Sequence, residues 1–184
     1  MKHSHQLAVM TAVLAIALPA MAQQPRPRVS PHETVHARID NANIMVVYGR
    51  PSAKDPRSGE ARQIWGRVVP NGRVWRMGAN EATLLVSPRP LKFGDLTVPA
   101  GAHSLYLLPQ EDGTAKLIIN KQVGQWGTQY EQAQDVGRVD VKKETLETAA
   151  DPFTIALDRN PDGGGILKLS WDKTQYSVPF TVER

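Results

Sequence analysis

From Thr34 to the C-terminus the chain is a succession of short apolar runs, each closed by Gly, Pro, Asn or Asp. "TVHARI" alternates Val35, Ala37 and Ile39 against His36 and Arg38, the period of two that a half-buried strand requires. "DNAN" (40–43) supplies a turn, because Asn and Asp tolerate left-handed backbone angles, and "IMVVY" (44–48) follows as the partner strand. "ATLLVS" (82–87) runs up to Pro88, and "LKF" and "LTV" flank "GD" (94–95) as a tight hairpin. "HSLYLL" (103–108) and "AKLIIN" (115–120) flank "PQEDGT" as a second hairpin. "RVDV", "FTIAL", "ILKLSW" and "YSVPFTV" bring the set to about ten short strands. "NPDGGG" (160–165) is a loop, its glycines free to take positive φ.

Helical periodicity is nearly absent. The exception is "TQYEQAQDVG" (128–137), where Thr128 and Glu131 form a T-x-x-E capping box and Gly137 can close the C-terminus. That spacing predicts one or two helical turns. The pattern as a whole predicts an all-β chain: a single-domain antiparallel β-sandwich, or a partly open barrel, over residues 34–184. It has one short helix and one long basic loop.

The N-terminus reads as an address. Lys2 precedes the apolar run "LAVMTAVLAIAL" (7–18), and "AMA" (20–22) is the small-x-small pattern of a signal-peptidase site. The run is short for a bilayer span, which needs about 20 residues. The expectation is a signal peptide over 1–22, cleaved after Ala22, and a periplasmic or secreted protein with no membrane span in its mature form. Loss of Lys2 lowers the formal charge from +4 to +3. "QQPRPRVSPHE" (23–33) is Pro-rich and polar and reads as a flexible linker. The sequence has no cysteine, so an exported chain of this kind rests on its core and has neither thiol chemistry nor Cys-based zinc sites. Export also argues against nucleic acid as a partner.

Residues 50–76 hold Arg50, Lys54, Arg57, Arg62, Arg67, Arg73 and Arg76 against Asp55 and Glu60 alone, a local charge of +5. The segment is also rich in Pro and Gly. A long loop inside a compact domain is a functional candidate. Arginine suits carboxylate, phosphate or sulfate because its planar fork matches them. The opposing possibility is a solvated loop whose arginines pair with Glu81, Asp135 or Asp140.

Immediately after it comes "RVWRMGANEATLL" (73–85), which places Trp75, Arg76, Asn80 and Glu81 at the entry of a strand. Arg50 and Arg76 lie beside apolar strand ends. The candidate ligand-binding residues are therefore Arg50, Trp75, Arg76, Asn80, Glu81 and His103. Exposed tryptophan faces also stack on sugar rings, so Trp65, Trp75, Trp126 and Trp171 divide between a glycan platform and the core, with Trp171 the most core-like. Glu81 reads either as an acid/base group or as one half of an ion pair with Arg50 or Arg76. Acid/base work would require a second titratable group, from His103, Asp135 or His36, close to it. His32 and His36 would share a face only on a helix, and their stretch is extended. No metal and no cofactor is expected, and no phosphate-loop, dinucleotide or nucleophile-elbow motif is present.

The motifs "YGRP" (48–51), "GRVVPNGRVWRMGANEAT" (66–83), "VPAGAHSLYLLP" (98–109), "IINK" (118–121) and "WGTQY" (126–130) resemble an exported bacterial family known as domain of unknown function 2911. The resemblance runs from about Ser30 to about Leu157. Two departures stand out: "SAKDPRSGEARQIWG" after "GRP" is longer than the family's compact form, and His103 stands where the family pattern has Tyr. The second departure argues against an obligatory role for His103. The resemblance implies export and one compact domain, and brings no activity with it. Three functions stay open: a binding module for a small anionic or glycan ligand, a hydrolase or lyase using Glu81, and a structural protein contacting a cell-envelope component.

Overall fold

The computed structural model describes residues 28–183. The predicted signal peptide (1–22) and the first part of the predicted linker (23–27) lie outside the described residues.

Ten strands form two antiparallel sheets. In chain order they are β1 (His32–Ile39), β2 (Ala42–Gly49), β3 (Thr83–Ser87), β4 (Leu91–Phe93), β5 (Leu96–Val98), β6 (Gly101–Pro109), β7 (Ala115–Asn120), β8 (Asp135–Asp140), β9 (Lys142–Arg159) and β10 (Gly165–Val182). The larger sheet has the order β1-β2-β3-β6-β7-β8 and the smaller β5-β4-β10-β9. Both are open, so the architecture is a sandwich and not a closed barrel.

The turns follow the local chemistry. Ile39 pairs with Ala42, which leaves Asp40 and Asn41 as a two-residue turn with φ of 46° and 65°. Two consecutive positive φ values match the right-handed twist of the flanking strands. Gly94 and Asp95 close the β4–β5 hairpin with Phe93 opposite Leu96, and there only Gly94 takes a positive φ, 59°.

Alternation fixes which side chains meet between the sheets. Ile44, Val46 and Tyr48 of β2 face Phe153 and Ile155 of β9 and Leu167, Leu169 and Trp171 of β10 across one continuous core. In β10 the buried set changes from odd numbers (Leu167, Leu169, Trp171) to even ones (Tyr176, Val178, Phe180). The change occurs at Asp172, whose φ is 51° and where the β9–β10 ladder loses register on both sides. A bulge there rotates the strand and keeps its apolar side on the core.

Two expectations are corrected. "FTIAL" belongs to one strand of 18 residues, and "ILKLSW" and "YSVPFTV" together make another of 18. Residues 142–150 of β9 are largely exposed and polar, so they lack the alternation that marks a strand. The predicted helix is a single 3-10 turn at Gln132–Gln134. Glu131 occupies its N-cap position without a side-chain capping bond, and Gly137 lies inside β8. The segment is held instead by side chains. The Tyr130 hydroxyl donates to Asp135 Oδ2 at 2.7 Å, and Arg138 donates to the same oxygen through Nε and Nη2 at 3.0 and 2.9 Å.

Candidate functional site

Residues 50–82 connect β2 to β3 with no regular strand, only isolated bridges. The last part of this connection is anchored. Trp75 exchanges two backbone hydrogen bonds with Leu107 of β6, each 2.8 Å, and so continues the line of β3 along the same neighbour. The chain leaves that line at Arg76 and rejoins it at Thr83. Thr83 is fully buried, and its hydroxyl donates to the Met77 carbonyl at 2.7 Å across the neck of the excursion.

The excursion is shaped by close backbone approaches. Met77, Gly78 and Asn80 have φ of 50°, 153° and 67°. A Cβ on Gly78 would lie 2.6 Å from the Gly49 carbonyl oxygen, and a Cβ on Gly49 would lie 2.1 Å from the Ala79 oxygen. The glycines of "YGRP" and "RMGANE" thus let two backbones touch. On the other side, Gly127 donates its N–H to the Asn80 carbonyl at 2.9 Å, and a Cβ there would lie 2.1 Å from Cδ of Arg76. Three separated sequence motifs meet around one turn.

This arrangement opens a cleft of about 640 Å³ at one end of the sandwich. Its floor is aromatic. The rings of Trp75 and Trp171 stack with centroids 5.7 Å apart and 16° between planes. Trp65 and Phe153 pack edge-on against Trp75, and the Trp65 Nε1 donates to the Trp171 carbonyl at 3.1 Å. The walls are cationic and apolar: Lys54, Arg62 and Arg76, with Pro51, Val68 and Val74. Among the described residues no Asp or Glu lines the cleft.

The donors here are under-used. The Arg76 side chain makes no hydrogen bond and no ion pair with any described residue, and its Nε is sealed from solvent. Burial pushes its guanidinium down from the ordinary arginine value, with no carboxylate to offset this. An arginine nonetheless stays protonated in a protein, so a half-buried, uncompensated positive charge borders the cleft. Arg62 donates Nη2 to the Ser52 carbonyl, while its Nε is buried without a partner. Trp171, about 1% exposed, also has a buried Nε1 with no partner. Buried donors are usually satisfied, so three beside one cleft require a reason.

Of the six candidates from the sequence, Trp75, Arg76 and Asn80 line this cleft. Asn80 also donates Nδ2 to the Ser30 carbonyl at 3.1 Å. Arg50 lies elsewhere and is fully engaged: Nε on the Phe153 carbonyl at 3.1 Å, Nη2 on Thr154 at 2.9 Å and Nη1 on Glu33 at 3.1 Å. His103 is buried in β6 opposite Leu85, and burial lowers its pKa, which favours the neutral ring. Glu81 is also outside the cleft lining. Arg28 donates Nη1 to both its oxygens, at 2.8 and 2.7 Å, and His32 Nε2 lies 2.8 Å from Oε2. The Arg28 hydrogen bond holds the Glu81 carboxyl down at about 2. None of His103, His36 and Asp135 is a partner of Glu81; the titratable group beside it is His32, which shares the carboxylate with Arg28 outside the cleft lining.

Lys54 and Arg62 stood in the basic segment without distinction from their neighbours, and Trp171 stood with the core. Gly127 is the residue that sequence reasoning passed over, although "WGTQY" contains it. No group of three or more His, Asp or Glu side chains gathers into a metal site among the described residues.

The fold and the cleft define a class: an all-β sandwich with a cationic, partly apolar cleft built from the long β2–β3 connection. The chain belongs to the family described as "Protein of unknown function (DUF2911)", whose model matches residues 30–180. Comparisons with curated proteins and with solved structures returned no match.

Proposed function

We propose that this protein is an exported binding module for small organic anions, taken up in the cleft around Arg76. The single observation behind this reading is the Arg76 guanidinium, half-buried, unpaired and facing a cleft without acidic side chains. An uncompensated buried cation is costly, and a ligand anion would compensate it. Lys54 and Arg62 add to the same field. The volume falls within the 300–1,000 Å³ typical of small-molecule sites and exceeds the need of a bare inorganic ion. The apolar walls fit a ligand with a hydrocarbon or ring body behind its carboxylate or phosphate. A neutral glycan is less suited, since Trp75 and Trp171 stack on each other and the well-exposed Trp126 lies outside the cleft lining. Export rests on the signal-like residues 1–22.

The test is calorimetry on the chain without residues 1–22, titrated with aliphatic and aromatic carboxylates, phosphate esters and neutral disaccharides. At least one organic anion is expected to bind. Arg76→Ala is expected to weaken it about 10- to 150-fold, the loss of charged hydrogen bonds of about 1.5–3 kcal/mol. Binding confined to neutral sugars, or unchanged in Arg76→Ala, would sink the reading.

A further inference from the structure

We infer that Glu81 is a positioning residue of the cleft: it holds residues 28–32 as a strap over one side, and the strap controls how fast a ligand enters and leaves. Val29 and Ser30 form part of the cleft lining. They precede the β1 ladder, which begins with His32 opposite Gly49, so no sheet pairing holds them. What holds them is a small set of bonds to the connection that also presents Arg76. Glu81 takes Arg28 from the start of the strap and His32 from its end. Between these, Asn80 grips the Ser30 carbonyl at 3.1 Å, and the Arg50 amide donates to the Pro31 carbonyl at 2.8 Å.

The strap is fastened but not buried. The Arg28 and Glu81 side chains are 50% and 32% exposed, and exposed ion pairs contribute little. Val29 is 74% exposed although apolar, so nothing packs it down. Segments with few buried contacts open at low free energy. The post itself is rigid, because Glu81 forms a backbone bridge with Trp126 and its neighbour Ala82 donates to the Gln125 carbonyl at 3.2 Å. A firm post and a lightly attached strap across a cleft wall together make a gate.

The claim about ligand exchange rests on the anion-binding reading; the claim about attachment does not. The sequence offers a direct probe of attachment. Trypsin cuts after Arg28, whereas Arg26 precedes Pro27 and resists. Cleavage follows the population of the open form when opening is fast. Glu81→Gln is expected to be cut at Arg28–Val29 about two- to fivefold faster than the wild type, the scale of an exposed ion-pair loss. Glu81→Asp, which keeps the charge, is expected to stay near the wild-type rate, and melting temperatures should be unchanged.

Ligand exchange is read by stopped flow with 1-anilinonaphthalene-8-sulfonate, an anion with an apolar body. Both its association and dissociation rates should rise in Glu81→Gln, while Arg76→Ala should abolish binding. Equal tryptic rates in wild type and Glu81→Gln would overturn the attachment. Faster cleavage with unchanged probe rates would overturn the gate. Failure of the probe to bind the wild type would count against the gate and the anion reading, and the digest would then decide the attachment alone.

Discussion

The side chain of Arg76 lies directly over the backbone of Gly127, so close that a Cβ there would sit 2.1 Å from Cδ and 2.7 Å from Cβ of the arginine. The contact explains how a long, flexible cation is held without any ion pair. Its stem is packed against a bare backbone, which leaves the guanidinium to be placed by sterics alone. Positioning of this kind lowers the ordering cost of binding.

Gly127→Ala therefore tests the site without touching its charge. The new methyl cannot coexist with the present Arg76 rotamer, so the arginine must move. Overpacking of this kind costs about 1–3 kcal/mol of stability. Calorimetry should show anion affinity falling toward that of Arg76→Ala in a protein that still folds. Wild-type affinity in Gly127→Ala would mean that the placement of Arg76 is unimportant.

Gly49→Ala should behave differently, because the obstacle there is backbone. Its Cβ would lie 2.1 Å from the Ala79 oxygen, which no rotamer change relieves. The 76–83 excursion would have to lift from β2, breaking the Ala79 N–H bond to the Gly49 carbonyl and opening the cleft wall. Thermal unfolding should show a loss at the upper end of the 1–3 kcal/mol overpacking range, about 3 kcal/mol or more. A near-neutral result would show that the excursion has slack.

Where the sequence was legible, the information was local. "DNAN" encodes its own turn, "GD" its own hairpin, and "RVWRMGANEAT" marks a turn at a strand entry. Where it was not, the answer depended on distance in space. Glu81 finds Arg28, 53 residues away, inside a segment read as a linker. Arg50 and Arg76 looked alike beside their strand ends, yet the guanidinium of one is bonded to β9 and β1 and that of the other has no partner among the described residues. The polar stretch 142–150 is a strand because β10 pairs with it, not because its own pattern demands one. The capping box at Thr128 was outcompeted by the hydrogen bonds of Tyr130 to Asp135 and Arg138.

Asp172 offers a test of how β10 keeps two differently phased halves on one core. Its φ of 51° is tolerated by Asp and natural for Gly, but costly for a β-branched residue. Asp172→Gly should leave stability within about 1 kcal/mol, whereas Asp172→Val should lose about 1–3 kcal/mol. Chemical denaturation of the two variants distinguishes them. Equal stabilities would show that the strand can shift its phase elsewhere.

The Glu81 carboxyl provides a pH reading of the strap. Its hydrogen bond from Arg28, helped by His32 and opposed by partial burial, holds it down at about 2 from an ordinary 4.5. Because the folded value is the lower one, the stabilisation is complete above about pH 4.5 and is lost as the pH falls toward 2. Protonation removes the charge that Arg28 and His32 share, so the strap should loosen over that window and remain fastened at neutral pH. Carbon-detected NMR of the Glu81 side chain should place its midpoint below the ordinary 4.5 in the wild type. In Arg28→Ala the midpoint should climb back toward 4.5, because the first and largest cause of the shift is gone. A wild-type midpoint already near 4.5 would show that Arg28 and Glu81 do not hold each other in solution, and the strap would lose its fastening.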